Sequence, residues 1–272
     1  MNLKYYVVDA FGEKAFTGNP AGVCVLEKPL PEAQMQQIAA QNNLAETAFV
    51  IPLCGGVARS DGVVPQENDY DLRWFTPAVE INLCGHATLA TAFVLHQFYA
   101  PSMGEFRFHS KSGLLTVTPK DDLYELDSPS WPAQSIDITT AMQHAVSGIK
   151  EAHLARDLIL LLEDEAAVRD FQPNIAALKN IHDCFSVVIT AKGESCDFVS
   201  RMFAPNNGID EDHVTGSTHS TLVPFWAQRL GKEKLLAKQL SQRGGTLYCE
   251  RCGERVKIAG KAKLYLTGEL YV

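Results

Sequence analysis

Arg73-Trp74-Phe75-Thr76-Pro77, followed by Cys84-Gly85-His86-Ala87-Thr88, is a stretch that this chain writes twice. Arg201-Met202-Phe203-Ala204-Pro205 is followed by Thr215-Gly216-Ser217-Thr218-His219. The Arg, Phe and Pro positions are each offset by 128, and the two glycines by 131. Ser110-Lys111-Ser112-Gly113 returns as Ser241-Gln242-Arg243-Gly244, again at 131. A strand, a loop, a glycine, a helix and a Ser-x-x-Gly turn thus occur in each half, with three residues inserted in the second loop. A repeat of this length predicts two related lobes of ordinary domain size. Chemistry is expected where two such lobes would face each other across a cleft.

The pattern around the repeat fills in the fold. Lys4 to Phe11, Gly22 to Leu26, Thr47 to Ile51 and Asp71 to Phe75 read as strands. Pro31 can open a helix, and Met35, Ile38 and Ala39 follow at helical spacing. Ala87 to Leu95 is apolar on nearly every side, so a helix there must be buried all round. Phe106 to Ser110, Leu114 to Thr118 and Leu123 to Leu126 read as strands around it. Thr218 to Leu230 is the matching second helix, with Pro224 inside it. Strands are expected around it at 158–162, 185–190, 198–203, 246–249, 255–258 and 263–266. Asp137 and Asn174 read as caps of short surface helices, and Gly55 to Asn68 as a surface loop. The predicted class is α+β: two pseudo-symmetric lobes, each a mostly antiparallel curled sheet wrapped around a central helix. The charged turn Lys120 to Asp122 marks the boundary, giving lobes 1–119 and 120–262.

Composition limits the function. A net charge of −8 without a basic run argues against nucleic acid as a partner. The longest apolar runs are far too short to span a bilayer, and no export signal opens the chain. A cytoplasmic protein without a membrane partner is expected. Seven scattered cysteines do not suggest a disulfide framework. Cys249-Glu250-Arg251-Cys252 is a lone CxxC in a strand-like setting, and no metal site is expected from it.

Four places could carry chemistry. Gly85 and Gly216 each stand between a loop and a buried helix, where N–H groups without intrahelical partners bind anions. Glu46 sits among small and apolar residues at a strand start, where desolvation would suit it to move protons near neutrality. His86 and Ser217 follow the two glycines, and Asp212 precedes the second by four residues. Cys84, beside a helix start, is expected to have a lowered thiol pKa.

Taken together, several blocks resemble the signatures of the PhzF-like family, named for a phenazine-biosynthesis isomerase. They are Gly18-Asn19-Pro20-Ala21, Glu46-Thr47-Ala48-Phe49, Arg73-Trp74-Phe75-Thr76-Pro77, Cys84-Gly85-His86-Ala87-Thr88-Leu89, Asp212-x-Val214-Thr215-Gly216-Ser217 and Arg243-Gly244-Gly245. The resemblance runs in order over nearly the whole chain. It implies a fold similar to diaminopimelate epimerase, with the site in the cleft between the lobes and the last strand, about 263–272, returning to the first lobe. It implies a homodimer that needs no metal or organic cofactor and isomerises a small carboxylate-bearing molecule by proton transfer. In the phenazine enzyme a glutamate moves a proton on a dihydro-hydroxyanthranilate ring, and Glu46 matches it. His86 and Asp212 match residues that take part. Ser217, Asn19 and the backbone at Gly85 and Gly216 match substrate-holding positions.

The chain departs from the family pattern at His213, where proline is usual, and at Ala45, Thr218 and Gln242. His213 stands where related racemases would carry a second thiol, with Cys84 at the first. A thiol-type racemase or epimerase using Cys84 with His213 is therefore an alternative, as is a small-molecule binding protein on the same scaffold. The asymmetry of the repeat favours one base: His86 follows one glycine, Ser217 the other, and Glu46 has no evident counterpart in the second half.

Overall fold

A computed structural model describes residues 2–53 and 64–272. The chain forms two compact units, Met1–Asp127 with Ala259–Val272, and Ser128–Ile258. Most of the Gly55 to Asn68 segment lies outside the described residues.

In the first unit the elements are β1 (Asn2–Ala10), β2 (Asn19–Val25), α1 (Glu32–Asn42), β3 (Glu46–Pro52), β4 (Asp69–Phe75), β5 (Glu80–Ile81), α2 (Gly85–Phe98), β6 (Phe106–Ser110), β7 (Gly113–Lys120) and β8 (Leu123–Pro129). β1–β2, β3–β4, β4–β5, β6–β7 and β7–β8 pair antiparallel, whereas β2–β3 and β4–β6 pair parallel. Parallel neighbours need a crossover connection, and helices supply both: α1 joins β2 to β3, and α2 joins β4 to β6. The two helices take different sides. Leu3, Tyr5 and Val7 of β1 join Met35, Ile38 and Ala39 of α1 in one core. Tyr6, which alternation turns to the other face, stacks on Phe98 of α2 at 5.0 Å. With both faces covered, β1 and β2 read as near-continuous apolar runs.

The second unit contains β9 (Gln134–Ile136), α3 (Thr140–Ala145), β10 (Glu151–Leu154), β11 (Leu158–Leu161), α4 (Glu165–Arg169), α5 (Ile175–Leu178), β12 (Val187–Lys192), β13 (Phe198–Ala204), β14 (Ile209–Asp212), α6 (His219–Leu230), β15 (Lys234–Gln239), β16 (Gly245–Cys252) and β17 (Arg255–Gly260). Its pairings repeat the first unit. β10–β11, β12–β13, β13–β14 and β15–β16 are antiparallel, and β11–β12 and β13–β15 are parallel. The last strand, β18 (Ala262–Tyr271), pairs with β1 and so belongs to the first unit.

The duplicated arginine has a structural role. Arg73 forks onto Glu80 through Nε at 2.7 Å and Nη2 at 2.8 Å. Arg201 forks onto Glu211 through Nε at 2.7 Å and Nη2 at 2.9 Å. Each guanidinium also lies over the phenylalanine two residues on, at 5.2 Å from Phe75 and 5.3 Å from Phe203. Strand alternation puts residues i and i+2 on one face, which explains the Arg-x-Phe spacing. The clamp ties β4 to β5 and β13 to β14, closing the loop that leads to each central helix.

Two expectations change. Thr139, not Asp137, caps α3, accepting a hydrogen bond from Met142 N, because Thr139 is itself still extended and the helix begins only at Thr140. Asn174 does cap α5. The Lys120 to Asp122 turn is the tip of the β7–β8 hairpin, so the first unit continues to Asp127. Pro224 lies inside α6 and cannot donate to the Ser220 carbonyl; that carbonyl accepts from Trp131 N instead, at 2.9 Å. No helix among the described residues is long and apolar enough to cross a membrane.

Candidate active site

In the first unit, sheet register brings four of the expected residues together. Glu46 opens β3 and pairs with Ala21 of β2, whose first residue is Asn19. Gly18 precedes it at φ +79 in the αL region, with the Ala10 carbonyl only 2.3 Å from where a Cβ would stand. Only glycine fits there, and the turn delivers Asn19 into the site. Cys84 is the N-cap of α2, Gly85 its first residue and His86 its second.

His86 Nε2 lies 3.0 Å from Glu46 Oε2. Asn19 Nδ2 lies 3.2 Å from His86 Nδ1, and Cys84 Sγ is 3.5 Å from the same nitrogen. Glu46, His86, Cys84 and Asn19 are all buried. The Glu46–His86 approach satisfies the distance of an ion pair but not the alignment of a hydrogen bond. Glu46 Oε2 therefore has no hydrogen-bond partner among the described residues. Such an atom is costly to bury unless something uses it.

Burial alone would lower the His86 pKa, but its close contacts with Cys84 and the Glu46 carboxylate outweigh burial and raise it well above 6.5. Burial, with the neighbouring Glu46 carboxylate adding to it, pushes the Cys84 thiol up and keeps it protonated at neutral pH. This corrects the expectation of a lowered thiol pKa: the helix start is outweighed by desolvation and a neighbouring carboxylate. One ligand atom from each of Glu46, Cys84 and His86 lies within 4.8 Å of the other two. These three could hold a metal ion, though they already hydrogen-bond or pair among themselves.

In the second unit, Asp212 ends β14 and accepts a hydrogen bond from Thr215 Oγ1 at 2.5 Å. Gln239, almost fully buried, holds this loop. Its Nε2 donates to the Asp212 carbonyl at 2.8 Å, and its Oε1 accepts from Thr215 N at 2.8 Å. Ser241 Oγ donates to the His213 carbonyl at 2.6 Å. Gly216 does not open α6 as Gly85 opens α2. Residues 216–218 form a tight turn, with His219 N donating to the Gly216 carbonyl at 3.1 Å, and α6 begins at His219.

Register also supplies the counterpart that the sequence hides. Thr47 pairs with Phe75, and Val187 with Phe203. Because Phe75 and Phe203 are repeat equivalents, Ser186 corresponds to Glu46, as Ser217 corresponds to His86. Ser186 Oγ donates to Asp157 Oδ1 at 2.7 Å. Asp157 pairs with Arg156 at 2.8 Å, and Arg156 Nη2 donates to Ser217 Oγ at 3.0 Å. An acid–imidazole pair in one unit is replaced by a serine–aspartate–arginine–serine chain in the other. Gln239, Arg156, Asp157 and Ser186 were not singled out in the sequence. Their only signal there is polarity beside strand ends.

The repeated topology, each central helix a crossover on a curled sheet, is the fold of diaminopimelate-epimerase-like isomerases. A hydroxyproline epimerase of Agrobacterium vitis superposes with TM-score 0.61 at 12% identity, covering 99% of this chain and 92% of that one, which is a likeness of fold. The profile of the family described as phenazine biosynthesis-like protein matches residues 8–268. A PhzF-family protein of Enterococcus faecalis, known from a crystal structure, is 48% identical with TM-score 0.92, covering 100% of both chains. A Pseudomonas aeruginosa protein named only as an uncharacterised isomerase is 43% identical over 100% of both chains. The chain belongs to the phenazine biosynthesis-like (PhzF) family and is an isomerase.

Proposed function

We propose that this isomerase acts by proton transfer without a cofactor, with Glu46 as general acid and base, on a small carboxylate-bearing substrate of cyclic or amino-acid-like shape. The observation that carries this reading is the buried Glu46 oxygen, 3.0 Å from His86 Nε2 and without a hydrogen-bond partner among the described residues. A carboxylate held next to a cationic ring can take a C–H proton and return it to another carbon. His86 balances the charge as the proton comes and goes. The family resemblance gives Asp212 a part in the transfer, and gives Ser217 and the backbone at Gly85 and Gly216 the holding of the substrate. The α2 start supports this, since Cys84 brings no oxygen with which to cap it.

The thiol alternative, Cys84 with His213, is disfavoured by the raised pKa of the Cys84 thiol. A thiol that stays protonated is a poor base. The test is exchange of a substrate C–H with deuterated water across a panel of small cyclic carboxylates. Wild-type protein exchanges at least one of them, and Glu46→Gln abolishes exchange while binding persists. Exchange that survives in Glu46→Gln would sink the role given to Glu46.

A further inference from the structure

Arg156 stands out in the second unit because so much structure is devoted to one partly exposed side chain. Its guanidinium lies between two rings, 4.9 Å from Trp131 and 4.7 Å from Phe185. Nε and Nη2 reach Asp157 at 3.3 and 2.8 Å, and Asp157 is fully buried. The Trp131 ring is placed by the proline in α6: the Ser220 carbonyl that Pro224 cannot serve binds Trp131 N. Phe185 N donates to the Arg156 carbonyl at 2.9 Å, fixing the second ring. The planar group is therefore set in position before any ligand arrives, which lowers the entropic cost of binding.

Two donors remain after these bonds are made. Guanidinium can only donate, so at the 3.0 Å contact Ser217 Oγ is the acceptor. The Ser217 hydroxyl hydrogen is left to point elsewhere, and no acceptor for it exists among the described residues. Arg156 Nη1 likewise has no partner among the described residues, and about a quarter of the side chain is exposed, at 27%. Two adjacent donors, one carrying positive charge, are the complement of a carboxylate.

We infer that Arg156 and Ser217 together form a carboxylate subsite, with Arg156 binding the anion directly and turning the Ser217 hydroxyl toward it. The inference deepens the proposed function and rests on its reading of Ser217. It adds a residue that the resemblance did not supply.

The test uses the full chain with a small cyclic carboxylate, benzoate, and its methyl ester as probes, titrated by calorimetry. Arg156→Gln alone would leave Asp157 buried without its cation, so it is paired with Asp157→Asn; Arg156→Lys and Ser217→Ala complete the set. Wild-type protein should prefer the acid to the ester. The double variant should lose about tenfold of that preference, as expected for one charge-assisted contact. Arg156→Lys, which keeps the charge but not the fork, should fall between the two. Adding Ser217→Ala to the double variant should cost less than it does alone, because the two groups share one ligand. A merely structural Arg156 would weaken acid and ester alike, and that result overturns the inference. Loss of preference in Ser217→Ala with full preference in the double variant also overturns it while leaving the proposed function standing. No preference for the acid in wild-type protein overturns the carboxylate reading and the inference with it. Exchange lost in Glu46→Gln, with acid preference intact, supports both.

Discussion

The duplicated Arg–Glu clamp allows a controlled comparison within one chain. Arg201→Met keeps the stem over Phe203 but removes the fork to Glu211 and the Nη1 hydrogen bond to the Phe171 carbonyl at 2.6 Å. The Arg201 side chain is 9% exposed and that of Glu211 23%. Breaking a buried pair and stranding its carboxylate costs about 3–5 kcal/mol, and Glu211 is open enough to place the ion-pair loss near the lower end. An unsatisfied carbonyl adds about 1 kcal/mol, for a total of about 4 kcal/mol. Arg73→Met removes the same motif from a side chain 27% exposed. Its partner Glu80 keeps a second cation in Lys111, so the loss is about 1–2 kcal/mol. With about 2–4 °C of melting temperature per kcal/mol in a chain of this size, Arg201→Met should melt roughly 8–16 °C below wild type. Arg73→Met should lose about half as much or less. Urea unfolding followed by tryptophan fluorescence gives the same ranking as a shift in midpoint. Equal losses, or a larger loss at Arg73, would refute the argument that burial and carbonyl capping, rather than the shared motif, set the energy.

Other outcomes follow from individual groups. Burial lowers the His219 pKa from 6.5 to about 4, against a hydrogen bond to the Thr215 carbonyl that raises it. The unfolded chain then binds the extra proton between pH 6.5 and 4, so stability from this group is full above 6.5 and falls by about 3 kcal/mol as pH drops to 4. His219→Gln should flatten that limb in pH-dependent urea melts; an unchanged slope would contradict the burial argument. His86, with its pKa raised, has the opposite sign: its contribution is present below 6.5 and is lost as pH rises through the folded value. Cys84→Ser should keep deuterium exchange within a few-fold of wild type, and among the described cysteines the partly exposed Cys184, Cys196 and Cys252 should alkylate before Cys84. Loss of exchange in a folded Cys84→Ser would revive the thiol mechanism. Gly18→Ala puts a Cβ 2.3 Å from the Ala10 carbonyl at φ +79, and should cost about 2 kcal/mol or more. It should also cut exchange by dislodging Asn19 from His86, and normal melting and exchange together would show that the turn does not set the site.

Much of the fold was legible because the repeat carries its own spacing. The Arg-x-Phe-x-Pro strands, the glycines and the apolar run from Ala87 to Leu95 each dictate one local geometry. Boundaries were not legible where two signals competed. Asp137 looks as good a cap as Thr139 until the start of α3 at Thr140 is known, and a charged turn looks the same at a hairpin tip as at a domain edge. In the site, Glu46 and His86 are forty positions apart in sequence. No periodicity joins them, and the family resemblance alone put them side by side. Their meeting depends on β2–β3 pairing and the α2 crossover. The correspondence of Ser186 with Glu46 is invisible in sequence because serine and glutamate share nothing that a repeat search would match. The Glu80–Glu211 correspondence was hidden by the three-residue insertion. The Cys84 pKa went the other way because burial and Glu46 could not be weighed before the site was assembled.

The central claim is that a single carboxylate, Glu46, removes and returns the proton. It is tested most directly by following one turnover, in ordinary water, of a substrate deuterated at the carbon that loses its proton. The account predicts product carrying a measurable fraction of the original deuterium at its new carbon, and no turnover in Glu46→Gln. Complete washout of the label, with turnover undiminished in Glu46→Gln, would contradict it.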